Sequence, residues 1–189
     1  MTGPVRLAGW GALADGASVT WTLAEGSRGR RWREVVTSEG EVRHALLLET
    51  DAARRFSHLE LASAAGLWTF HPEGDGTLHG NHVDPRGRAV SHIVGWSFGV
   101  DDLLIVEGSP VSAAANAWRL AGEPAVTDVA VRAGVRLDPA GWCGRDVTIR
   151  VERVNAARWR IGSSTAIEIA ANGSPVLDDG AIAPLELYR

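Results

Sequence analysis

Apolar and polar positions alternate with a period of two through most of this chain, and the alternating stretches are bounded by Gly, Pro, Asp and Ser. Ala17–Leu23 (ASVTWTL) is the cleanest case. Gly26–Arg31 reads as a loop, Trp32–Thr37 as a strand, and Ser38–Glu41 as a turn into a further strand, Val42–Thr50. Asp51–Arg55 is too short for a stable helix and is expected to form a turn or bulge before Phe56–Ser63 resumes extended structure. Leu67–His71 ends at Pro72 and the Gly74-Asp75-Gly76 turn, and Thr77–Val83 follows. Asp84-Pro85-Arg86-Gly87 has the residue order of a type I turn, so Ala89–Phe98 is expected as the returning strand of a hairpin, with Leu103–Glu107 after it.

One stretch breaks the period. Ser109-Pro110 before Val111–Leu120 is a helix start: the Ser side chain accepts from free N–H groups, and Pro fits the first helical position. Four alanines favour the helix, and Gly122 and Pro124 end it. Beyond it, Ala125–Leu137 reads as one bent strand interrupted at Gly134. Val147–Val154, Arg158–Ile161 and Thr165–Ala170 read as closing strands, and Asn172-Gly173 as a tight turn. The pattern predicts a mainly β protein, a single domain over residues 1–189. Its antiparallel sheet is curved into a rolled sheet or half-barrel, which disposes of strand edges, and one short α-helix lies near 110–120.

Composition narrows the function classes. A chain of 189 residues, 45% hydrophobic, can bury a sizeable core. The longest apolar runs, such as Leu103–Val106, fall far short of the ~20 residues that a membrane-spanning helix needs, so none is expected. The first residues lack the basic start and apolar segment of a secretion signal, and a single cysteine, Cys143, cannot form an internal disulfide. A cytoplasmic location is the expectation. A net charge of -4 argues against nucleic acid as a partner. Eight Trp beside three Phe and one Tyr is an inverted ratio, so the tryptophans either plug a wide β core or line a cavity.

Four histidines, His71, His79, His82 and His92, fall in one short region. In a hairpin turning at Pro85-Arg86, His79 and His92 are expected close to opposite one another. His82 lies an odd number of residues from His79 and points to the other face, which removes the simplest three-histidine metal geometry. No metal site and no cofactor are expected. Most carboxylates fall in turns, where they cap backbone groups. Glu107 ends an apolar strand just before the helix cap and is a candidate pocket residue. Ser109 lacks the spacing of a nucleophile elbow, Cys143 has no sequence neighbour to activate it, and no Gly-rich phosphate loop is present. No catalytic residue is assigned. In the returning strand Val90, His92, Val94, Trp96 and Phe98 share one parity, so histidine sits on an aromatic and aliphatic face. A solid core has little use for that histidine, whereas a cavity for an amphiphile has.

The segments Leu46–Phe56 (LLLETDAARRF), Gly66–Phe70 and Thr77–Asp84 (TLHGNHVD) resemble the spiral β-roll family named for glycolipid binding. The order is a strand ending in Asp with a following Arg, then Gly-x-Trp, then Leu-x-Gly before an acidic residue. The resemblance implies a curved antiparallel sheet wrapped over an apolar cavity. The leading expectation is therefore a non-enzymatic binder of an amphiphilic or glycolipid-like molecule. Trp68, Trp96 and Phe98 would line the cavity, with head-group contacts from His79, His92 and Glu107. The alternatives are an enzyme using His and carboxylate acid-base chemistry on a small or carbohydrate-like substrate, and an interaction domain whose tryptophans form a dimer face.

Overall fold

The computed structural model describes residues 5–123, 129–140, 143–162 and 167–176. Eight strands follow one another as an antiparallel meander: β1 (Val5–Ala12), β2 (Ser18–Gly26), β3 (Gly29–Ser38), β4 (Glu41–Asp51), β5 (Phe56–Ser63), β6 (Gly66–Pro72), β7 (Thr77–Val83) and β8 (Val90–Ser97). A second sheet holds β9 (Leu103–Val106), β10 (Val129–Asp138), β11 (Cys143–Arg153), β12 (Arg158–Ile161), β13 (Ile167–Ile169) and β14 (Pro175–Val176), in the order β14-β13-β12-β11-β10-β9. The molecule is mainly β, a single domain of curved antiparallel sheets that include a half-barrel.

Alternation fixes the inner face of the meander. Across neighbouring strands the registers align Leu7, Leu23, Trp32, Leu48, Leu59, Phe70, Gly80 and Ile93 in one row, and Trp21, Glu34, Leu46, Leu61, Trp68 and His82 in the next. Most of these side chains are buried, and they join residues of the second sheet in one continuous core. That burial is the main force holding the two sheets together. Trp21, Trp32, Trp118 and Trp159 are buried in it, whereas Trp10 stands exposed on the edge strand. Trp142 lies outside the described residues.

The helix α1 (Pro110–Ala121) starts as expected, with the Ser109 hydroxyl accepting the amide of Ser112 at 3.0 Å. Its position is the surprise. It is enclosed on nearly every side, packing on β3 of the meander and on β9, β12, β13 and β14 of the second sheet.

β9 pairs with β10 in parallel, with α1 as the connection between them, whereas the other paired strands described are antiparallel. Two expectations are corrected. Gly134 does not interrupt a strand: β10 runs straight through it. The β7–β8 hairpin carries a bulge in which Leu78 faces Trp96 but Gly80 faces Ile93, so that Val94 and Gly95 together oppose His79. His79 and His92 are not partners for a separate reason: the turn sets Val83 against Val90 and so His92 against Asn81, two residues along β7 from His79.

Candidate functional site

The bulge divides the proposed ligand face. On its far side, toward the Asp84–Gly87 turn, Val90 and His92 point outward and are exposed. On its near side Trp96 turns inward, and Phe98 beyond it is buried. An extra residue in one strand reverses the parity of everything after it, so Val90, His92, Trp96 and Phe98 do not share a face.

Inside, Trp68, Phe70 and Trp96 form a stacked ladder, each ring 5.5 Å from the next, and His82 lies on Trp68 at 4.8 Å. The His82 imidazole also reaches the Ala65 carbonyl at 3.2 Å. The expected separation of His82 from His79 is present, since His79 lies on the outer face. Trp68 thus contacts Phe70 and His82, and Phe70 contacts both Trp68 and Trp96. Trp96 in turn presses on β11: a Cβ at Gly144 would lie 2.0 Å from its Cη2, so only glycine admits the ring there. The ladder is a packed joint between the two sheets.

The head-group candidates lie elsewhere. His79 faces His71 across β6 and β7, with Glu73 3.8 Å from its Nδ1 and 2.9 Å from His71 Nε2. His92 is exposed and bonded to Asn81 Oδ1 at 2.6 Å. Glu107 is exposed at the end of β9, in the other sheet. Glu107 is thus not a pocket residue, and it does not meet the histidines of β7 and β8. Among the described residues no group of three His, Cys, Asp or Glu side chains is placed to hold a metal ion.

A different constellation lies where the β4–β5 hairpin meets β9 and the C-terminal half of α1. Leu48, Phe56, Leu104 and Ala115 form an apolar floor, and Thr50, Arg54, Asn116 and Arg119 complete the lining. The concavity is shallow, enclosing about 10 Å³, and opens to solvent. Phe98, one of the expected lining residues, packs edge-on behind Phe56 at 5.6 Å and so supports this floor from outside the pocket.

Its polar side is unevenly satisfied. Arg119 donates to the carbonyls of Asp102 (2.7 Å) and Val100 (3.0 Å) and pairs with Asp101 and Glu123. Burial lowers its pKa, and the two carboxylates oppose that shift. Asn116 donates to the Leu104 and Ser112 carbonyls. Arg54 donates through one nitrogen to the Trp118 carbonyl at 3.1 Å, and its guanidinium lies 4.2 Å from the Trp118 ring centroid. The same indole receives Arg30 at 3.7 Å. Burial depresses the pKa of Arg30, Glu25 counters it, and the nearby Arg54 charge adds to the depression. The Thr50 hydroxyl is buried without a hydrogen-bond partner.

Sequence reasoning missed Thr50, Arg54 and Glu34. A signal existed for two of them, because Thr50 shares the inward parity of Leu46 and Leu48, and Glu34 that of Trp32 and Val36. Arg54 sits in a turn, where no periodicity applies.

No family model matches the chain, and no curated protein does. Among the described residues no helix is long and apolar enough to cross a membrane. A crystal structure of a DUF1089 family protein from Pseudomonas aeruginosa is similar, with a TM-score of 0.51 and 14% identity over 96% of this chain and 91% of that one. At that identity the likeness extends to the fold alone: this chain has a mainly β architecture of curved antiparallel sheets similar to that of the DUF1089 protein.

Proposed function

We propose that the protein binds a small amphiphile in the pocket between the β4–β5 hairpin and α1. One observation carries the reading: an apolar floor of Leu48, Phe56, Leu104 and Ala115 stands against a polar side of Thr50, Arg54, Asn116 and Arg119 in a single concavity. A ligand with one apolar and one polar end matches that division. Size limits the ligand. The enclosed space is about 10 Å³, on the order of one water, so the occupant lies mainly in the open mouth of the concavity and is a single short chain and its head, not a two-tailed lipid. The tryptophan ladder takes no part in this contact; it joins the sheets that form the walls.

The test is isothermal titration with octanoate and octanol, with native mass spectrometry for stoichiometry. Wild-type protein should take up one equivalent of at least one probe. Ala115→Leu, which fills the floor from a buried helix position, should abolish uptake while the circular dichroism spectrum stays native and Tm falls by only a few degrees, about 2–4 °C per kcal/mol of strain. Absence of binding to wild type, or equal binding by the variant, would remove the proposal.

A further inference from the structure

We infer that this pocket selects an anionic head group, with Arg54 and Thr50 as its recognition pair; the inference rests on the amphiphile reading above. Charge accounting points to Arg54. Arg30 has Glu25 at 2.8 Å, and Arg119 has Asp101 and Glu123. Arg54 has no carboxylate within ion-pair distance among the described residues, although it shares the Trp118 indole with a second guanidinium. A half-buried cation beside another cation gains from an anion.

Its guanidinium is held ready for one. The ring contact and the bond to the Trp118 carbonyl fix it, and neither uses all five of its N–H donors. The backbone is committed as well. Arg54 adopts φ 65°, a left-handed conformation usual for Gly or Asn, in a turn closed by the Asp51 amide on the Arg55 carbonyl at 2.8 Å. Thr50, on the strand leading into that turn, adds a second donor. Its hydroxyl lacks a partner at a residue only 5% exposed, and an anionic oxygen in the pocket would supply one.

Arg54 also satisfies a carbonyl in the last turn of α1, a structural role that would explain its presence without any ligand. The experiment separates the two. Octanoate, octanol and octylamine are titrated into wild type, Arg54→Met and Thr50→Val, and each variant's Tm is recorded. Octanoate should bind wild type roughly tenfold or more tighter than octanol, with octylamine weakest. Arg54→Met should abolish that preference while octanol binding stays within about twofold, and Thr50→Val should reduce it several-fold. If octanoate and octanol bind wild type equally, or if Arg54→Met lowers Tm and weakens both probes alike, anion selection is overturned and the amphiphile reading stands. If no probe binds wild type, both fall.

Discussion

Glu34 on β3 caps a helix distant in the chain: its Oε2 accepts the amide of Val111, 77 residues later and in the first turn of α1, at 2.9 Å. Its other oxygen meets His44 Nε2 on β4 at 3.0 Å, and both side chains are buried. Ser109 satisfies the Ser112 amide from within the helix, and Glu34 satisfies a neighbouring one from the sheet. The inner helix is therefore tied to the meander by a polar bond as well as by apolar contact.

Removing the cap from the sheet should cost more than removing it from the helix. Glu34→Ala strips acceptors from two buried donors and should destabilise by about 3 kcal/mol. Ser109→Ala should cost about 1 kcal/mol. Urea denaturation at neutral pH measures both. A Glu34→Ala cost no larger than that of Ser109→Ala would show that the β3 contact contributes little.

The joint between the sheets has an equally sharp test at Gly144. Alanine there would drive Trp96 off its seat and should cost about 2 kcal/mol, with a change in tryptophan fluorescence. Trp96→Leu in the Gly144→Ala background should recover part of the loss, because the smaller side chain leaves room for the methyl group. Strict additivity of the two changes would contradict the packing described.

Trp118 and Arg54 should be energetically coupled. Trp118→Ala removes a buried indole and should cost about 4 kcal/mol by itself. In a double-mutant cycle with Arg54→Met, the guanidinium contact at 4.2 Å should appear as a coupling of roughly 1 kcal/mol. Additive effects would mean that the stacking contributes nothing.

The pH dependence of one surface link follows from Asp15. Its carboxyl accepts from the Arg43 guanidinium and from the Ala17 amide, and the Arg43 bond is the first cause of a pKa held below the ordinary 3.8. A depressed folded pKa adds stability that is fully present above 3.8 and is lost as pH falls through the folded value. Asp15→Asn keeps an acceptor for Ala17 and loses the charge. Wild type should melt at the higher temperature at neutral pH, and the gap should close in acid below 3.8. A gap that persists unchanged in strong acid would rule out the Arg43 linkage.

Much of the fold was legible because its causes are local. Strand alternation, the Asp84–Gly87 turn and the Ser109 cap each depend on residues within a few positions of one another, and each stands where the sequence puts it. β1 escaped notice for an equally local reason. Its inward positions opposite Trp21 and Val19 are Gly9 and Gly11, which carry no apolar signal. Of the candidate site residues, Trp68, Trp96 and Phe98 do face inward, but into packing. His79 and His92 lie on the outer face of the meander, away from these rings, and Glu107 follows a strand of the other sheet.

The sequence by itself determined the elements, the faces of unbulged strands and the capped start of the helix, since short-range sterics and period-two burial act within each segment. Tertiary structure decided the rest. The bulge opposite His79 arises from pairing between two strands, and the parallel β9–β10 pair from how α1 crosses. The helix is seated between β3 with its Glu34 and the strands β9, β12, β13 and β14, which come from distant parts of the chain. The pocket exists only where residues 48–56, Leu104 and 115–119 converge, and no pattern within any one of those segments encodes that meeting.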